Sequence, residues 1–134
     1  MAAGKYSFTI EQGATTNLEI QYKDSGSNAV DLTDYQARMQ IRSLQTGSSD
    51  VYLTLSSSLN GDNTGLNMSG SSDTNPPESG SIGIFISYLT SSLLNFDKGY
   101  YDLEIASGSG TDIRVTRILE GTVQLSKNIT TGSF

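Results

Sequence analysis

The chain has no cysteine, no histidine and no tryptophan, and only two of its 134 residues are proline. Without cysteine there is no disulfide, and the thiolate ligands of zinc and iron–sulfur sites are missing. Without histidine the side chain most used for proton transfer near neutral pH is gone, and no Ser–His–Asp or Cys–His arrangement can be assembled. Without tryptophan the largest platform for stacking a sugar is lost. Basic residues are also few. Eight Lys and Arg, scattered from Lys5 to Lys127, face fourteen Asp and Glu, for a formal charge of −6. No basic cluster is present to follow a phosphate backbone, and the acidity opposes docking on anionic lipid. Neither nucleic acid nor membrane is therefore an expected partner. No run approaches the roughly 20 apolar residues of a membrane helix. Met1–Lys5 leads straight into an alternating segment and lacks the apolar core of a secretory leader. The expectation is a soluble, non-enzymatic protein made in a cytoplasm, with no cofactor.

What the sequence has in quantity is period-two alternation, which sends one set of side chains to a core and the next to water. Tyr6, Phe8 and Ile10 alternate with Ser7 and Thr9, and Leu18, Ile20 and Tyr22 with Glu19, Gln21 and Lys23. Ala37, Met39 and Ile41 alternate with Arg38, Gln40 and Arg42. Val51, Leu53 and Leu55 follow, then Ile82, Ile84 and Ile86, then Tyr101, Leu103 and Ile105, and a last segment over 112–126. Polar faces of this kind favour antiparallel pairing. Asp24-Ser25-Gly26 and Gly108-Ser109-Gly110 read as turns between strands, and Gly121 inside the last strand predicts a bulge or bend. Thr90 is positioned to cap a short helix over 91–96, with Leu89, Leu93 and Phe96 on one side. The expected fold is all-β: one domain over 1–134, an antiparallel β-sandwich of Ig-like or related topology with one short helix. A barrel is the alternative. A long polar loop over 56–81, containing one short strand near Leu66–Met68, and a flexible C-terminal tail over 127–134 complete it.

Few residues invite a chemical reading. Asp102 and Glu104 share one face of a strand, about 7 Å apart by strand geometry, but alternation alone accounts for them as a solvated face. Asn60-Gly61-Asp62-Asn63-Thr64-Gly65 has the oxygen-rich opening of a calcium loop, yet the closing glutamate six residues after the glycine is Ser71. An ordinary polar turn is the expectation there, and no metal is assigned. More informative are apolar residues on the wrong parity. Tyr52, Phe85 and Ile118 face away from their apolar neighbours, and Tyr100 faces away from Tyr101. Together with Phe134 in the tail they are the candidate protein-contact residues. Arg117 falls on the apolar parity of Ile113, Val115 and Leu119. A buried ion pair with an acidic residue of a neighbouring strand or chain is expected there.

Two stretches carry a resemblance. The first runs from Phe8-Thr9-Ile10-Glu11-Gln12-Gly13 through Leu18-Glu19-Ile20-Gln21-Tyr22-Lys23-Asp24 to Val30-Asp31-Leu32-Thr33-Asp34-Tyr35-Gln36-Ala37-Arg38-Met39-Gln40-Ile41-Arg42. The second is Gly99-Tyr100-Tyr101-Asp102-Leu103-Glu104-Ile105 with Val115-Thr116-Arg117-Ile118-Leu119-Glu120-Gly121-Thr122-Val123. Together they resemble the N-terminal β-sandwich domain of phage baseplate upper proteins and related small structural proteins of tailed phages. The stretch over 56–81 has no counterpart in the likeness. The resemblance implies a non-catalytic virion protein of the tail, baseplate or neck. Its partners would be other virion proteins and copies of itself, after synthesis in the host cytoplasm. Those proteins usually carry further domains after this one, whereas this sequence stops at Phe134, so a stand-alone virion subunit is the expectation. A host-adhesion or carbohydrate-binding module using the 56–81 loop and Tyr100, or a head decoration protein, is the alternative.

Overall fold

The computed structural model describes residues 3–44, 49–70, 77–108 and 110–130. Among these residues nine strands form two sheets. Strand β1 is Gly4–Lys5, β2 Phe8–Glu11, β3 Thr16–Gln21, β4 Gln36–Arg42, β5 Val51–Ser56, β6 Gly65–Asn67, β7 Ser81–Ile86, β8 Lys98–Ser107 and β9 Arg114–Ser126. The larger sheet runs β1-β9-β8-β4-β5, with β2 also on β9, and the smaller runs β3-β7-β6. One apolar core joins them. Ile10, Met39, Ile41, Leu55, Leu103 and Val123 come from the large sheet, and Leu66, Ile82, Ile84 and Ile86 from the small one. Each side chain of this size taken fully out of water contributes about 1.5–3 kcal/mol. The all-β sandwich expected from the sequence is the observed fold. The division into β9-β8-β4-β5 and β3-β7-β6 is the G-F-C-C′ and B-E-D arrangement of an immunoglobulin-type sandwich.

Pairing departs from the antiparallel expectation at one edge. β1 and β2 run parallel to β9 in one register, Gly4 opposite Leu119 and Phe8 opposite Val123. The expected bulge is also displaced. Gly121 sits in regular register opposite Tyr101, and the irregularity in β9 falls nearer its start, where Leu103 pairs with Leu119 but Glu104 pairs with Arg117. Ile118 is the extra residue. Glycine at 121 answers a different need: a Cβ there would lie 1.9 Å from the Tyr6 carbonyl oxygen, so the edge strand can approach only a residue without a side chain.

The β9 bulge resets the parity of everything before it. Ile118 turns into the core at 8% exposure, while Ile113 and Val115, expected inside, are 46% and 47% exposed. A second bulge does the same in β5. Leu53 pairs with Ile41 and Val51 with Arg42, leaving Tyr52 as the extra residue. Its ring turns inward and stacks on buried Phe96, centroids 4.5 Å apart and planes within 1°.

The helix lies earlier than expected. α1 spans Tyr88–Ser91, and Ser87, not Thr90, is the N-cap, its hydroxyl accepting from the Leu89 amide. Of the expected apolar side, Phe96 is buried, together with Leu94, whereas Leu89 and Leu93 face water. The short strand within the 56–81 loop is present as β6, and Leu66 is fully buried. Positions 71–76 of that loop, including Ser71, lie outside the described residues, as do 131–134.

Candidate functional site

Two surfaces stand out, one on the outer face of the large sheet and one at the end of the sandwich that carries α1.

The outer face is built by alternation. With Met39, Ile41, Tyr101 and Leu103 committed to the core, the intervening Arg38, Gln40 and Arg42 of β4 and Tyr100, Asp102 and Glu104 of β8 must point the other way. Arg38 pairs with Asp102's neighbour Glu104, Nε to Oε1 at 2.7 Å, the two standing directly opposite in register. Arg117 reaches Asp102 at 3.2 Å and Glu120 at 3.8 Å, and Lys5 donates to Glu120. Arg42 donates to Gln40 Oε1 and to the Ser49 carbonyl. These side chains, Lys5 excepted, surround an open groove of about 490 Å³ that Thr54 and Tyr100 also line. Partial burial, with the nearby Glu104 charge, holds the Asp102 carboxyl above its ordinary range despite Arg117 and Arg38. Lys5 pulls Glu120 the other way, below its own range.

The expected partner of Arg117 is therefore present, on the neighbouring strand β8, but the pair is not buried. The Arg117 side chain is 52% exposed, because the bulge at Ile118 moves position 117 from the core side of β9 to its outer side.

The second surface carries exposed apolar side chains. Hydrogen bonds fix its frame. The buried Ser91 hydroxyl donates to the Ala14 carbonyl at 2.7 Å and accepts from the Gly13 amide at 3.1 Å. Gln12 donates to the Leu94 carbonyl at 2.7 Å and accepts from the Asn128 amide at 2.9 Å, which leads the segment after β9 alongside α1. On the other flank, Thr64 accepts from the Ser87 amide, and Thr90 donates to Asp62 at 2.6 Å. The Asn60–Gly65 turn is thus a clasp on the start of α1. The Asp62 oxygens are committed to Thr90 and to the Thr64 amide. Upon this rigid frame Tyr88, Leu89, Leu93 and Ile129 stand in water, Leu93 at 83% and Ile129 at 97% exposure. Leu59, also exposed, lies over Gly65, the register partner of Phe85.

The sequence-derived contact residues are not gathered into one site. Ile118 is a core residue and Tyr52 is partly buried against the core, both turned inward by the two bulges. Tyr100 is half-buried in the groove with the Lys98 ammonium 5.3 Å from its ring centre. Phe85 is half-buried on the outer face of the small sheet, and Phe134 lies outside the described residues. Sequence reasoning missed Tyr88, Leu89, Leu93, Leu59 and Ile129. Ser87 was the available signal. A serine two residues before Leu89 caps a helix that starts at Tyr88, and that start rotates Leu89 and Leu93 out of the core.

Among the described residues no group of three or more acidic or other ligating side chains is placed to hold a metal ion. Among the same residues no helix is long and apolar enough to cross a membrane. The sequence matches no known family model, and no curated protein is similar to it.

Proposed function

We propose that the chain is a non-enzymatic structural subunit of a tailed-phage virion, in the tail, baseplate or neck. It works by surface complementarity with other virion proteins and with copies of itself, and its place after synthesis in the host cytoplasm is the particle.

The observation that carries this reading is the apolar end of the sandwich. Tyr88, Leu89, Leu93 and Ile129 are exposed on a frame pinned by Ser91, Gln12, Asp62 and Thr64. Large apolar side chains exposed on α1 and on the segment after β9, both tied to the sandwich by hydrogen bonds, suit a protein interface, whose desolvated centre is where such residues contribute most. The resemblance to the N-terminal domain of baseplate upper proteins supports the same reading, as does a composition without histidine or cysteine.

Quantitative mass spectrometry of purified particles tests it. A baseplate subunit is expected in a small multiple of three or six copies per particle. Hundreds of copies would indicate head decoration instead, and absence from the particle would overturn the proposal.

A further inference from the structure

We propose that the groove on the outer face of the large sheet binds a neutral carbohydrate. The groove is concave, of about 490 Å³, within the range of small-ligand sites. Its charged lining consists of Arg38, Arg42 and Arg117 against Asp102, Glu104 and Glu120, three of each sign. A balanced set offers an anion or a cation no net attraction, yet it presents strong donors and strong acceptors side by side. Vicinal hydroxyls, each both donor and acceptor, match that pattern.

The lining is partly paired. Arg38 meets Glu104, and Arg117 meets Asp102 and Glu120, so donors and acceptors already stand side by side over the sheet, although exposed pairs of this kind hold their side chains only weakly. These pairs occupy only part of the available capacity. Arg38 meets Glu104 through Nε, and a guanidinium has five N–H donors. Its side chain is 70% exposed, leaving the other donors directed to solvent or to a ligand. Tyr100, half-buried, supplies an aromatic surface, beside Gln40 and Thr54 as neutral hydrogen-bonding groups. The Ser56–Ser81 loop, expected from sequence to serve a glycan together with Tyr100, contributes nothing to the described lining. The inference does not depend on the chain's place in a virion.

The test is an NMR titration of the isotope-labelled full chain with galactose, mannose, N-acetylglucosamine and lactose, and in parallel with sialyllactose and a sulfated disaccharide. The expected result is saturable shifts from at least one neutral sugar, confined to amides of β4, β8 and β9 around Gln40, Asp102 and Glu120. Arg117→Gln and Asp102→Asn should each weaken that binding by about tenfold or more, the effect of one lost charge-assisted hydrogen bond. Lys23→Gln, outside the groove, should leave it unchanged. An unchanged amide spectrum elsewhere verifies that each variant is folded. Silence from every neutral sugar, shifts mapping outside the groove, or binding by the anionic sugars alone would each overturn the inference.

Discussion

The Tyr101 hydroxyl donates a 2.7 Å hydrogen bond to the Tyr6 carbonyl, reaching past the bare backbone of Gly121. Tyr101 pairs with Gly121 in register, and the Tyr6 amide donates in turn to the Glu120 carbonyl. Three strands are thereby fastened at one point: the parallel edge strand, β9 and β8. Burial, with the neighbouring Tyr6 phenol, pushes the Tyr101 hydroxyl far above the usual phenol range, which favours the protonated, donating form. Tyr101→Phe should cost about 1–2 kcal/mol, because the bond is lost and a partly buried carbonyl is left without its partner. Gly121→Ala should cost about 2 kcal/mol or more by forcing the edge strand away from β9. Urea unfolding of the two variants and their combination checks this. Non-additivity is expected, since both act on the Tyr6 segment.

The Tyr52–Phe96 stack makes a separate prediction. A surface tyrosine can be truncated with little effect, whereas this ring packs face to face on a buried phenylalanine. Phe96→Ala should lower stability by about 3–5 kcal/mol, and Tyr52→Ala by a smaller but clear amount. A double-mutant cycle should return a coupling of about 0.5–1.5 kcal/mol. Zero coupling would mean that the bulge in β5 does not turn Tyr52 inward.

Acid stability should report on the clasp at α1. The Asp62 carboxyl is held below its ordinary range by the Thr90 hydroxyl first and the Thr64 amide second. Asp31 is lowered chiefly by the Thr33 hydroxyl, and Glu120 chiefly by Lys5. For each, the unfolded chain takes up its proton at a higher pH than the folded chain. The stability contributed is complete above the ordinary carboxylate range and is lost as pH falls through the lowered folded value. Asp102 has the opposite sign, since partial burial and Glu104 raise it. Urea midpoints should therefore fall on acidification, less steeply in Asp62→Asn and more steeply in Asp102→Asn than in the unaltered chain.

Much of the sandwich was legible because most strands obey period two without interruption. Met39, Ile41, Ile84, Leu103 and Ile105 are buried as alternation requires. The failures share a cause. A bulge inserts one residue and inverts the parity beyond it. A single extra residue at 52 and another at 118 thus turned two expected contact residues inward, Ile118 into the core and Tyr52 against it, and put Val51, Ile113, Val115 and Arg117 outside. Nothing local marks either bulge, because each arises from how a partner strand registers against the chain. Gly121 signalled an irregularity correctly as to strand. Its physical reason is the approach of the Tyr6 carbonyl, and the bulge itself lies at Ile118. The parallel edge was hidden for a similar reason: pairing between residue 8 and residue 123 leaves no trace in either segment. The charged groove was half visible, in the alternation of Arg38 and Gln40 and of Asp102 and Glu104. Only the fold brings Arg117 and Glu120 beside them.

The most direct measurement of the central claim is incorporation of Leu89→Ser/Leu93→Ser into particles in competition with the unaltered chain. Both side chains are exposed, so the isolated variant should unfold within about 0.5 kcal/mol of the unaltered protein. The account predicts that particles assembled from an equal mixture contain the unaltered chain and almost none of the variant. Equal incorporation of the two would contradict it.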